Sequence, residues 1–168
     1  MPVIRLWFYN PVGDKEGWFN HMVAKLDGPF CHCELQFPNQ EACTIYMGTN
    51  VVLKKRSFDP SAYTGVTVNC SVTELEKAYQ FARSQHTACT RFDTLAMSMA
   101  LMPRVFPYTG SGTFCSKLCA DILLAANLIT ACPTHKLSPS ALYRLCAPTV
   151  KVGNALSSTA TTKALDFK

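Results

Sequence analysis

The order of elements along the chain predicts an α+β domain, an antiparallel β-sheet packed against a helical bundle. Short β-prone runs crowd the chain as far as Cys70, and helical periods fill it from there to Cys146. The chain has 168 residues, 48% of them hydrophobic and 16% charged. That is enough for one domain with a sizeable core, and it marks a globular chain rather than a disordered one.

Val3 to Tyr9 is apolar and β-prone and reads as the first strand, broken by the Asn10-Pro11-Val12-Gly13-Asp14 turn. In residues 16–26, Trp18, Met22, Val23 and Leu26 recur at helical spacing, and Asp27-Gly28-Pro29 ends that helix. Phe30 to Phe37 alternates as a strand, with His32 and Glu34 on one face and Cys33 and Leu35 on the other. Pro38-Asn39-Gln40 makes a hairpin turn, and strands are expected over 42–47 and 51–57. Residues 59–65 read as a loop and 66–70 as a strand. Ser71-Val72-Thr73-Glu74 fits a capping box opening a helix to about Ser84. Asp93 to Leu101 predicts a second helix, ended by Pro103, and Tyr108 to Gly112 a turn. Thr113 can cap a third helix to about Leu128, and Ser138-Pro139-Ser140 starts a last one ending near Cys146. Residues 1–148 therefore form the domain. Residues 149–168 turn to Ser, Thr, Ala and Lys without periodicity and read as a flexible tail.

The net charge of +5 is modest, and Lys54-Lys55-Arg56 is the one tight basic run. It reads as a solvated strand end, and nothing resembles the dense basic stripe of a nucleic-acid reader. Nine cysteines, an odd number, sit in a chain with no cleavable signal pattern at its start and no apolar run of membrane-spanning length. They read as free thiols in an intracellular, reducing compartment. Cys31, His32 and Cys33 cluster, but the spacing is C-x-C and no second pair matches it, so no metal is expected. No cofactor motif is present either.

The stretch GSGTFCSKLCADILLAANLI places Cys115 just inside an apolar helix. With Thr113 as cap, Cys115 falls at the second helical position. The helix dipole and unpaired N–H groups there lower a thiol pKa, and the same donors suit an oxyanion. Gly112, Thr113, Phe114 and Ser116 thus outline a substrate and oxyanion region, with Gly110 and Gly112 allowing close backbone approach. His32 is an unusual choice within a strand, because a buried ring needs partners. Glu34 shares its face and can orient it. A His-bearing strand followed by a Cys opening a helix is a thiol acyl-transfer arrangement. His21, His86 and His135 read as structural or solvated. Cys31 and Cys33 read as core, and Cys119, one turn after Cys115, as core or as a second thiol at the site.

Three stretches carry a resemblance to a known family: HCELQFPNQEACTIYMG, VTVNCSVTELEKAYQFARSQHTACTRFDTLA, and GTFCSKLCADILLAANLI with the following LSPSALYRL. They resemble the circularly permuted branch of the NlpC/P60 papain-like superfamily, in which the His strand comes first and the Cys helix last. The resemblance covers most of residues 30–146. It implies a papain-like core with Cys115 as nucleophile and His32 as base. In the lecithin:retinol acyltransferase group the third polar residue sits on the next strand, near Thr44 here. Thr44 is a poor orienting residue, which leaves Glu34 as the third member. The H-x-E-L form is similar to that of viral members, which implies a viral source and the host-cell cytoplasm.

Three functions follow as expectations. The first is a cysteine hydrolase, a thiol protease or isopeptidase acting on a peptide or protein through a covalent acyl-enzyme. The second is a lipid acyltransferase or phospholipase taking an acyl lipid, with Met97, Met99, Leu101 and Met102 as the wall of an acyl channel. The third is a non-enzymatic binding or assembly module.

Overall fold

The computed structural model describes residues 1–11, 18–100 and 112–147. The expected flexible tail at 149–168, the helix end at Pro103 and the turn at 108–111 lie outside the described residues. The fold is α+β, with one antiparallel sheet and helices packed on it. In chain order the elements are β1 (Val3–Tyr9), α1 (Trp18–Asp27), β2 (His32–Gln36), β3 (Glu41–Thr44), β4 (Val52–Lys55), β5 (Tyr63–Asn69), α2 (Val72–Thr87), α3 (Thr94–Ala100), α4 (Cys115–Ala125) and α5 (Pro139–Cys146). A single turn of 3₁₀ helix covers Thr134–Lys136.

The five strands lie in the order β4-β3-β2-β1-β5. The register sets Leu6 opposite Leu35 and Phe8 opposite Cys33 on one face, and Trp7 opposite Glu34 and Tyr9 opposite His32 on the other. The first face is the core. Ile4, Leu6, Phe8, Cys33 and Leu35 are fully buried there beneath α4, whose Leu118, Cys119, Ile122 and Leu123 are buried too. Each large apolar side chain so buried contributes roughly 1.5–3 kcal/mol. The second face is half covered by the chain after β4, where Phe58 stacks on Trp7 at 4.9 Å. Gly65 belongs under that ring, since a Cβ there would meet Trp7 at 2.9 Å.

β1 has its expected bounds. The capping box forms in full: Glu74 N–H donates to Ser71 Oγ and Ser71 N–H to Glu74. Ser138 caps α5 through Ala141 N–H. Three expectations are corrected. β5 starts at Tyr63, inside the expected loop, because β1 offers Tyr9, Phe8 and Trp7 as pairing partners to Tyr63, Thr64 and Gly65. α4 stops at Ala125, short of Leu128. Asn127 takes a φ of 59°, and the Asn127 and Leu128 N–H groups bond back to Leu124 and Leu123, closing the helix with a Schellman motif. Arg56 is no solvated strand end: Lys54 and Lys55 are exposed, but Arg56 turns in to Glu34.

Candidate active site

Thr113 does not cap α4. Its backbone is tied in a bridge to the segment before α3, with Thr113 N–H bonding Arg91 O at 3.1 Å and Asp93 N–H bonding Thr113 O at 2.8 Å. Thr113 is thus buried and held extended, and the helix starts two residues later. Phe114 is the N-cap, with no side-chain hydrogen bond, and Cys115 is the first helical residue rather than the second. The first i→i−4 bond runs from Leu118 to Phe114. The N–H groups of the first turn therefore lack a side-chain cap, in the orientation that attracts negative charge. Gly112 answers to packing: a Cβ there would meet the Asp93 side chain at 2.6 Å.

Cys115 and His32 line one cleft of about 420 Å³. Cys115 is 5% exposed and the His32 side chain 16%. Thr44 Oγ1 lies 3.1 Å from His32 Nε2, and Glu34 Oε1 lies 3.6 Å from the same nitrogen. Tyr46 stacks on the imidazole, with centroids 5.0 Å apart and planes at 21°. Glu34 is fully buried beneath this pair. Its Oε1 takes Arg56 Nη1 at 3.0 Å, Tyr46 Oη at 3.3 Å and Tyr63 Oη at 3.5 Å. Arg56 also bonds the Tyr46 and Tyr63 hydroxyls and lies over the Phe58 ring at 5.2 Å. Glu34 therefore divides its charge between Arg56 and His32.

The protonation states follow from these contacts. A hydrogen bond from the Cys33 thiol is the largest influence on Cys115. Burial pushes the Cys115 pKa up, but the Cys33 bond, the His32 charge and hydrogen bond, and the Cys33 N–H together hold it well below the usual thiol range. Burial by itself lowers the His32 pKa. The Cys115 charge and hydrogen bond, then Glu34, overcome that and raise it to about 10. Both directions favour a thiolate on Cys115 beside an imidazolium on His32. Burial, followed by its bonds to Cys115 and Cys119, keeps Cys33 a protonated donor with its pKa well above the ordinary value.

The expected trio of Cys115, His32 and Glu34 is thus brought together, with Glu34 slightly behind Thr44. Phe114 and Ser116 line a second, smaller recess against Cys115, although the Ser116 hydroxyl points away and donates to Leu137 O at 2.6 Å. Neither Gly112 nor Thr113 lines either hollow, and Gly110 is outside the described residues. Cys33 was expected to be a core residue on the face opposite His32. It is core, yet its thiol touches both Cys115 and Cys119, the Cys33 and Cys119 sulfurs being 3.8 Å apart. Cys31 is half-buried and lines both hollows. Of the suggested acyl-channel wall, Met97 faces the cleft, and Leu101 and Met102 lie outside the described residues. His86 is structural, its Nδ1 2.9 Å from Val51 O.

Tyr46, Tyr63 and Arg56 were not foreseen as site residues. A signal existed: once a hairpin turn joins β2 to β3, the strand register carries Thr44 opposite Glu34 and brings Tyr46 to His32. All nine cysteines are free thiols, and among the described residues no group of three or more Cys, His, Asp or Glu side chains gathers as metal ligands. No described helix is long and apolar enough to cross a membrane. Compared with protein-family models, with curated proteins and with solved structures, the chain gives no significant match in any of the three.

Proposed function

We propose that the chain is a cysteine-nucleophile hydrolase, a papain-like thiol protease or isopeptidase with the His strand before the Cys helix. One observation carries this reading: the uncapped start of α4 and the first residue of β2 bring Cys115 and His32 to one cleft, with Thr44 and Glu34 on the imidazole, and the pKa directions of the two groups favour a thiolate beside an imidazolium. Core packing alone has no need of a charged pair there, and desolvating two ions is costly unless they do something.

The steps follow from the geometry. Nε2 is engaged by Thr44 and Glu34, so Nδ1 is the nitrogen that serves the sulfur and the leaving group. Cys115 Sγ attacks the carbonyl carbon, and the oxygen takes the electron pair and faces the N–H groups of the first turn of α4. The oxyanion collapses, the carbon–nitrogen bond breaks, and His32 gives its proton to the departing amine. Water then adds to the thioester. Neutral His32 takes its proton, and the acid leaves with Cys115 restored as thiolate. Thr44, Tyr46 and Glu34 are positioning residues that hold the imidazole.

The test is iodoacetamide alkylation of each cysteine against pH, read by peptide mass spectrometry, in the wild type and in His32→Ala. In the wild type Cys115 alone reacts fast at pH 6, because its pKa is lowered and the thiolate persists there. In His32→Ala the midpoint climbs toward the ordinary thiol value of about 8.5. Turnover falls again at high pH as His32 loses, near pH 10, the proton it must donate. A Cys115 that alkylates no faster than Cys89, an exposed thiol, leaves a papain-like binding module as the surviving reading.

A further inference from the structure

Three thiols come together behind the cleft, and the hydrolytic steps use one of them. Cys115 opens α4, and Cys119 follows it by one turn on the same side of the helix. Cys33, the second residue of β2, lies against both. Its sulfur is 3.8 Å from the Cys119 sulfur, and its thiol and its N–H bond to Cys115. Helix and strand pack directly on each other at this point, inside the apolar core.

The three are not equally reachable. Cys115 keeps 5% exposure and lines the cleft of about 420 Å³. Cys33 and Cys119 are fully buried and line neither hollow. A small oxidant that enters the cleft therefore meets Cys115 before the two thiols behind it. The ionisation runs the same way: the Cys115 pKa is held low and that of Cys33 high. The reactive thiolate faces the cleft, and a protonated thiol backs it.

That order suits a two-step oxidation. The thiolate attacks one oxygen of hydrogen peroxide, the O–O bond breaks, and hydroxide leaves. The sulfur is oxidised to a sulfenic acid and the peroxide is reduced, His32 giving the hydroxide its proton to make water. A second thiol then attacks the sulfenic sulfur. An S–S bond forms, the S–O bond breaks, and the proton of that thiol leaves with the hydroxyl as a second water. Cys33 is in hydrogen-bond contact with Cys115 before any of this begins. The 3.8 Å between the Cys33 and Cys119 sulfurs gives the scale of such a contact. Closing it to a disulfide of about 2.05 Å takes a sulfur displacement of about 2 Å.

We propose that Cys33 and Cys115 are a site of reversible disulfide modification, formed when hydrogen peroxide reaches the cleft, with Cys33 as the resolving thiol. The bond occupies the nucleophile and keeps Cys115 from going on to sulfinic acid, the irreversible stage. A small thiol reopens it by exchange. The modification requires the thiolate at Cys115 and not acyl-bond cleavage, so it goes beyond the hydrolase reading.

In the experiment, the full chain is treated with a few equivalents of hydrogen peroxide without reductant. It is then quenched with iodoacetamide, digested with trypsin and mapped by mass spectrometry without reduction. Lys117 lets trypsin part Cys115 from Cys119, and fragment ions separate Cys31, Cys33 and Cys43 within the peptide 26–54. The expected map joins Cys115 to Cys33. Alkylation of Cys115 should be lost and should return after dithiothreitol. Cys33→Ala is compared at about pH 9, where loss of the S–H donor no longer limits the thiolate. There, dimedone added with the peroxide should trap the sulfenic acid on Cys115 in the variant and little of it in the wild type. Without dimedone, the variant should pass to sulfinic acid, and dithiothreitol should not restore alkylation. Cys119→Ala should still form the bond between Cys33 and Cys115. The wild-type map covers the case in which Cys33→Ala misfolds, because it names the partner without a substitution.

A bond from Cys115 to Cys31, which also lines the cleft, overturns the assignment. So does a bond between Cys33 and Cys119 that leaves Cys115 free, sulfinic acid on wild-type Cys115 with no disulfide, or a Cys115 that peroxide leaves untouched. Cleavage of acyl substrates is measured on the reduced, untreated chain, so the hydrolase reading stands or falls separately.

Discussion

The two faces of β2 follow different rules. Cys33 and Leu35 enter an apolar core where helices cover them completely. His32, Glu34 and Gln36 enter a polar layer in which each side chain has a named partner: Thr44 and Tyr46 for His32, Arg56 for Glu34, Trp7 and the Arg56 carbonyl for Gln36. Volume governs the first face and pairing the second. Cys115 touches both, because α4 starts at the end of the strand: it draws an imidazolium from the polar face and a thiol donor from the core face. A strand's alternation separates faces only along its length. At its end, one side chain from another element can be served by both.

The largest expected effect contrasts neighbours on the two faces. Leu35→Ala leaves a cavity and should cost about 2–5 kcal/mol in urea unfolding. Glu34→Ala strands Arg56 and should cost about 3 kcal/mol, the low end for a broken buried pair because Arg56 reaches solvent. The second change separates the rules. Removing Arg56 as well should recover part of the Glu34→Ala loss, since the unpaired charge is gone, whereas a core cavity next to Leu35 has no such remedy. If Glu34→Ala and the double variant Glu34→Ala/Arg56→Ala are equally unstable, pairing does not govern the polar face.

The next effect tests whether the core face serves the site. Cys33→Ala deletes the S–H donor to Cys115 and about one atom of packing. The Cys115 pKa then rises. Below the wild-type titration midpoint less thiolate is present, and alkylation there should slow by about tenfold for a rise of one pKa unit. At pH 9 the variant and the wild type should converge, because the thiolate is then favoured in both. Unfolding free energy should drop by only about 1 kcal/mol. A uniform slowing at every pH would mean that Cys33 acts by packing alone.

Legibility in the sequence also divides by face. β1, the Ser71 capping box and the Ser138 cap could be read because they depend on adjacent residues: alternation, or an oxygen placed to meet an N–H three positions on. The pair Cys115 and His32 was readable as a combination, since a thiol at a helix start and a histidine in a strand are each odd choices for a core. The partners of His32 were not readable in the same way. Thr44 meets His32 from β3, and Tyr46, Arg56 and Tyr63 converge on Glu34 from the segments around β3, β4 and β5, and no local pattern announces a convergence of strands. Arg56 hid inside a run of three basic residues whose first two are solvated. β5 hid behind Gly65, which reads as a breaker until the Trp7 ring above it is known. Thr113 is an ideal cap by composition. It was lost because a bridge to Phe92 fixes its backbone first.

The smallest effect concerns Thr44, where the sequence argued against a role and the geometry places the nearest polar atom to His32 Nε2. Thr44→Val keeps shape and removes the hydroxyl. The imidazolium then relies on Glu34 at 3.6 Å, which is too long for a strong bond, so the ring loses one restraint and the Tyr46 stack keeps it in plane. A hydrogen bond to a charged group is worth about 1.5–3 kcal/mol, of which Glu34 retains a part, so acylation of Cys115 should slow by about fivefold, with iodoacetamide alkylation less affected because alkylation needs no proton donor. Thr44→Ser restores the oxygen and should restore the rate. Glu34→Gln provides the contrast: it keeps a polar atom behind the ring but removes the charge, so it should lower the His32 pKa and bring in the alkaline limb of the turnover profile. If Thr44→Val moves that limb as far as Glu34→Gln does, then Thr44 acts through the charge of Glu34. If it slows turnover at every pH without moving the limb, Thr44 sets the direction of the ring and Glu34 its charge.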